Sequence, residues 1–142
     1  MCKNLFGGVE MINSSIYNYI NVLDKAADAS IQRGELISNN IANVDTPNYK
    51  RKDLDFEAIL QAELAGGFNL NDQVARVNKN LASLDPQVYT DNSSLAYRLD
   101  GNNVDIATEE AYLAENQIKY QALVDLMNQE FSRYKMVLSQ TS

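Results

Sequence analysis

The sequence contains no histidine and no tryptophan, one cysteine and two prolines in 142 residues. The missing histidine removes imidazole acid–base catalysis and imidazole metal ligation. The lone Cys2 has no second thiol for a disulfide or a zinc site, and it stands beside Met1 with no positioned base to activate it. No run of 18 apolar residues occurs, so no transmembrane helix and no direct membrane insertion are expected. Residues 1–10 carry too short an apolar run, broken by Glu10, to make a cleaved signal peptide. Positive charge is scarce: 12 Lys and Arg stand against 19 Asp and Glu, a net charge of −7. That balance opposes nucleic-acid binding, which needs clustered cations to displace counterions. Adjacent acids such as Glu109 and Glu110 point about 100° apart on a helix and do not converge on a substrate. No catalytic, cofactor-binding or metal-ligating set emerges.

What is present is apolar periodicity. The apolar share of 45% is that of an ordinary globular chain, of a length suited to one domain. Residues 1–12, with Gly7-Gly8 and no sustained period, are expected to form a flexible lead-in. From there Ile16, Ile20, Leu23, Ala27, Ser30, Gly34, Ile37, Ile41 and Val44 alternate spacings of four and three, the seam of a coiled coil or packed bundle. Asn13-Ser14-Ser15 offers an N-cap. Gly34 costs about 1 kcal/mol in a helix interior, so its place in the seam points to a close-packed neighbour. Pro47 excludes Thr46 from helical geometry, which stops the helix near Asn43, itself a candidate left-handed cap. Asp45-Thr46-Pro47-Asn48 then carries turn chemistry.

The stretch Tyr49-Lys50-Arg51-Lys52 is expected as a solvated basic loop. Asp53 or Asp55 is placed to cap a short helix whose apolar face is Phe56, Leu60 and Leu64, ended by Gly66-Gly67. Residues 66–103 form an irregular middle, in which Val74, Val77 and Leu81 mark at most a turn or two of weak helix. One hairpin is expected there, pairing residues 87–90 with residues 95–99. Asp100-Gly101-Asn102-Asn103 is a strong turn. Residues 104–142 complete the chain as a helix with the seam Leu113, Gln117, Tyr120, Val124, Met127, Phe131, Tyr134 and Leu138. The expected organisation is therefore a lead-in (1–12), a helix, turn and short helix (13–65), the middle (66–103) and a final helix (104–142). The fold class is mainly α, with two long terminal helices in an antiparallel coiled-coil-like pair. Each is about 45 Å long. Off-seam residues such as Ile118 and Leu123 leave more apolar surface than one chain needs.

Two motifs add a resemblance. Asn39, Asn40, Ile41, Ala42, Asn43, Thr46, Pro47 and Tyr49 fall in a run, Ser38 to Lys50, that resembles the "ANNIANxxTPGYK" signature of the bacterial flagellar rod and hook axial proteins. Asp100, Gly101, Asn102 and Asn103, followed by Val104-Asp105, look like the string before the C-terminal helix of the family's proximal rod members. Asp53 to Glu57 and Glu115 to Leu123 also fit those members. Asn48 stands where the family usually has glycine; both tolerate positive φ. The resemblance implies a structural subunit of the proximal rod of the flagellar basal body. Such a subunit is exported through the type III apparatus without a cleaved leader, self-assembles helically through its terminal helices in the periplasmic space, and transmits torque. It implies the sibling rod protein FlgC and the FliE adaptor as partners, and the two seams as assembly interface. The alternatives are FlgC itself or a generic helical adaptor or oligomerisation module.

Overall fold

Two long helices, α1 (Phe6–Ala42) and α4 (Ile106–Ser139), lie antiparallel and flank a small middle. The structure, a computed structural model, describes residues 6–65, 69–91 and 101–139, with side chains of α1 from residue 17. Pairings along the helices fix the direction. Tyr17 meets Tyr134, Ser30 meets Asn116 and Asn40 meets Glu109, so α4 numbers fall as α1 numbers rise.

α1 starts earlier than expected. Phe6 to Ile12, assigned to a flexible lead-in, belong to the helix, and Asn13-Ser14-Ser15 lie inside it instead of capping it. A cap acts only where the chain leaves the helix, and once nucleated each added residue gains a hydrogen bond. In a helix of 37 residues Gly7 and Gly8 are tolerated.

The middle is more ordered than its composition suggests. Strand β1 (Lys52–Asp55) is followed by α2 (Glu57–Leu64), α3 (Leu70–Lys79), a short 3-10 helix (Leu81–Leu84) and strand β2 (Gln87–Thr90). β2 pairs antiparallel with β1, Leu54 opposite Val88. The expected partner of β2, residues 95–99, lies outside the described residues, as do Asp100 and Gly66-Gly67. Asp53 and Asp55 do not cap α2. They sit in β1, and Phe56 occupies the cap position without a side-chain hydrogen bond. Asp53 is instead engaged by two arginines, and burial of Phe56 decides where α2 begins.

The apolar core explains α3. Ala29 of α1, Leu54, Phe56, Val77 and Leu84 form one buried cluster, covered by Val22, Ala26, Leu60 and Leu81. Val74 and Val77, one turn apart, bury an α3 face that local propensity alone would not hold helical. Tyr19 bonds Asn71, Asn78 bridges Asn18 and Asn21, and Lys25 reaches Asp85, so the middle is tied along one side of α1. α4 takes no part in this core. Its buried residues are Glu109 and Asn116, both polar. Among the described residues no helix is long and apolar enough to cross a membrane.

Candidate functional site: a polar clasp and an open helix face

α1 ends at Ala42, and the chain then descends through consecutive turns. The Val44 amide donates to the Ile41 carbonyl, Thr46 to Asn43 and Tyr49 to Thr46. Asn43 is not the left-handed cap. Its amide donates back to Asn39 and Asn40, and its side chain donates to the Asn39 carbonyl at 2.8 Å. The reversal falls at Asn48, whose φ of 58° is the positive value expected of that position. Asn48 rests on Gly101, itself at φ 77°; a Cβ on Gly101 would lie 2.9 Å from the Asn48 Oδ1. Both the conformation and the close approach require glycine there.

Through this contact the second motif grips the first. The Asn102 side chain donates to the carbonyls of Asn43, Val44 and Thr46 at 3.1, 2.7 and 3.0 Å, while its oxygen accepts from the Val104 amide. Asn103 accepts from the Arg51 amide and donates to the Asp91 carbonyl. Lys50 Nζ donates to the Gly101 carbonyl at 2.8 Å. From the helix side, Asn40 uses its whole amide. Its nitrogen donates to the Lys52 carbonyl and to Glu109 Oε2, and its oxygen accepts from the Lys52 amide and the Tyr49 hydroxyl. The motif residues of sequence positions 40–49 and 101–103 are thereby joined across some sixty residues of chain.

Beneath lies an ion cluster. Arg51 Nε donates to Glu109 Oε1 at 2.5 Å and its Nη2 to Asp53 Oδ2 at 2.7 Å. Arg33 Nε donates to Asp53 Oδ1 at 2.9 Å. The Tyr112 ring lies 5.1 Å from the Arg51 guanidinium and 5.9 Å from that of Arg33. Glu109 is only 1% exposed. Burial would raise the Asp53 carboxyl, but hydrogen bonds from Arg33, Arg51 and the Leu54 amide outweigh it and hold the carboxyl below its ordinary range. Burial would likewise lower the Arg51 guanidinium, and its bonds to Asp53 and Glu109 hold it above. The expected solvated basic loop is thus corrected. Arg51 is nearly covered because the strand it opens carries it between α1 and α4, and Lys52 alone of the pair Arg51-Lys52 stays exposed. Neither Glu109 nor Arg33 was singled out for this cluster. The signal in the sequence was an acid on the seam side of a helix, four residues before Leu113.

The seam residues divide. Ala27 and Ile37 are buried; Ile20, Leu23, Gly34, Ile41, Val44, Leu113, Val124, Met127 and Tyr134 are half-buried; Tyr120, Phe131 and Leu138 are exposed. The Ile16 side chain lies outside those described. Gly34 does mark a close approach: a Cβ there would stand 3.3 Å from Asn116 Nδ2, which donates to the Ser30 carbonyl at 2.8 Å. Of the motif residues, Asn39, Ala42, Thr46 and Pro47 stay exposed. Facing away from α1, Ile118 is 68% and Met136 61% exposed, with Leu126 also bare. Separately, an open groove of about 650 Å³ runs between the helices, past Ile31, Gly34, Asn39, Leu113 and Tyr120. Among the described residues no cluster of metal-ligating side chains occurs, and every buried side-chain nitrogen and oxygen has a hydrogen-bond partner. Both buried carboxylates are met by arginine, an arrangement suited to holding elements together.

Known proteins resemble this chain in sequence. The family described as Flagella basal body rod protein matches residues 20–50, the second half of α1 and the turn. The flagellar basal body rod protein FlgB of Bacillus subtilis (strain 168) is 35% identical over 131 residues, covering 92% of this chain and 98% of the relative. FlgB of Proteus mirabilis (strain HI4320) is 30% identical over 131 residues, 87% of this chain and 95% of the relative. FlgB of Escherichia coli (strain K12) is 31% identical over 121 residues, 80% and 88% of the two chains. With its motifs clasped and most of its length matched by these relatives, the chain belongs to the FlgB family of flagellar basal body rod proteins and is a structural subunit of the rod.

Proposed function

We propose that this subunit builds the rod by self-assembly through its terminal helices, and that the resulting shaft transmits torque. The observation that carries the reading is α4. It is a helix of 34 residues whose buried positions are polar, while Ile118, Leu126, Phe131 and Met136 stand exposed along it. Single exposed apolar residues are common, but a series along one rod is apolar surface left for neighbours. The seam residues from Ile16 to Val44 and from Leu113 to Leu138 then serve two purposes. Some pair α1 with α4, and the exposed ones with the outward residues of α4 meet other subunits. A heterologous contact repeated by a screw operation gives a filament and not a closed ring. The clasp fixes the angle at which the helix pair leaves the middle, so that contacts repeat identically.

In this reading the chain catalyses nothing. Its partners are further copies of itself, the sibling rod protein FlgC and the FliE adaptor. It reaches the periplasmic space through the type III export apparatus. The test is a pair of substitutions on the outer face, Ile118→Asp and Met136→Asp. In purified protein both leave helical content unchanged and abolish concentration-dependent self-association in sedimentation. In a flagellated host they leave export intact and stop rod formation. Self-association and motility at the level of the unsubstituted protein would overturn the interface.

A further inference from the structure

Asn102, Glu109 and Asn116 are seven residues apart and all buried. Within α4 the buried positions are Glu109 and Asn116. The apolar residues of its seam, such as Leu113, Val124, Met127 and Tyr134, are only half-buried. A seam with a seven-residue repeat is nearly indifferent to sliding by one repeat, because each apolar residue lands where another was. The polar pair is not indifferent. Glu109 fits against Asn40 Nδ2 and Arg51 Nε. Asn116 fits against the Ser30 carbonyl, in the space left by the missing side chain of Gly34. A shift in one direction brings Asn116 to Arg51 and Leu123 to the Ser30 carbonyl, where leucine has nothing to donate. A shift in the other brings the Glu109 carboxylate against that carbonyl, acceptor on acceptor. Either way a buried polar group loses its partner.

We propose that Glu109 and Asn116, together with Asn102 of the clasp one repeat ahead of them, are the register determinants of the α1–α4 pair: they, and not the apolar seam, select one alignment among those related by seven residues. Buried polar residues in coiled coils have this capacity at some expense in stability. The consequence is positional. The register decides which α1 residues lie level with Ile118 and Met136 along the pair, and so what surface the helix pair presents. The inference concerns one chain and holds whether or not that surface assembles.

The experiment measures register directly. In the full chain carrying Cys2→Ser, spin labels are attached through Asp28→Cys on α1 and Met136→Cys on α4, both exposed positions. Dilution with unlabelled protein leaves only distances within one chain. With Glu109 and Asn116 intact, one distance is expected by pulsed electron resonance. In Asn102→Ala/Glu109→Leu/Asn116→Leu a second population appears, displaced by about 10 Å, the rise of seven helical residues, with helical content by circular dichroism retained. In the exchanged variant, Glu109→Asn/Asn116→Glu, the carboxylate meets Arg51 only after a slip of seven residues, so the distance shortens by about 10 Å. A single unchanged distance in both variants overturns the proposal. So does a broad distribution without a displaced peak, which would mark lost pairing. Should the leucine variant lose its helical content, the exchanged variant decides alone.

Discussion

Near the turn, the α1–α4 pair is closed by polar groups: Glu109 is met by Asn40 and Arg51, and Asn102 by the carbonyls of the turn, with no buried side-chain nitrogen or oxygen left unpaired among the described residues. Toward the opposite end Tyr17 and Tyr134 meet edge-on with centroids 5.5 Å apart, hydroxyl to hydroxyl at 3.2 Å, while Phe131 and Met136 stay exposed. One end is complete within a single chain. The other has apolar side chains that a single chain leaves uncovered. The contrast separates two physical tasks. Directional hydrogen bonds specify geometry where a precise turn must be held, whereas apolar contact is non-directional and fixes no angle of its own.

If the clasp is the finished end, removing its central cation should do most damage. Arg51→Ala leaves Glu109 buried beside Asn40 alone and should cost about 3–5 kcal/mol, the range for breaking a buried ion pair, measured by urea unfolding. Asn102→Ala takes a donor from three carbonyls, of which Asn43 and Thr46 keep the amides of Thr46 and Tyr49, and takes the acceptor from the Val104 amide; about 2–3 kcal/mol is expected from lost buried hydrogen bonds, again by urea unfolding. A substitution that left the midpoint unchanged would move the clasp's strength elsewhere. Gly101→Ala must hold alanine at positive φ and push against Asn48; about 1–2 kcal/mol is expected, with Asn48→Gly in the same chain recovering part of the loss in a thermal melt.

Acid should act on the same end. The folded Asp53 carboxyl is held below its ordinary value of 3.8, so its contribution is full above that value and is lost as pH falls through the lower, folded value. Stability should therefore decline below about pH 4, and Asp53→Asn should flatten that limb of the profile while lowering stability at neutral pH. The smallest effect belongs to the open end. Tyr17→Phe removes an exposed hydrogen bond and should leave the unfolding midpoint of the dilute chain within a small fraction of the Arg51→Ala shift. A larger effect would mean that this end, too, is closed by its own chain.

The helices were legible because apolar spacing of four and three survives in any context that buries one face, and the Pro47 stop was legible because it is covalent. Asn48 and Gly34 were legible for the same kind of reason: a backbone angle and a missing side chain are local properties. The start of α1 was not, since a cap motif is silent inside a longer helix. α3 was not, because Val77 holds it by burial in a cluster that includes Ala29 of α1, far back in the sequence. The partner of β2 was not, because β1 lies across two helices in sequence. Arg51 looked solvated in its own neighbourhood of lysines, and only the arrival of Glu109 from α4 and Asp53 from β1 changes its surroundings.

The sequence by itself determined two long seamed helices, a sharp turn at Pro47–Asn48, a glycine turn at residue 101 and the absence of imidazole or paired-thiol chemistry, all of which follow from local covalent geometry and periodicity. The tertiary structure alone decided that the core lies between α1 and the middle, that the two asparagine-rich motifs lock together, and that the fully buried positions of α4 are polar while Ile118 and Met136 stay bare. Those outcomes depend on which distant groups meet, and hydrogen-bond partners and buried charges are properties of a place in space that no stretch of chain carries alone.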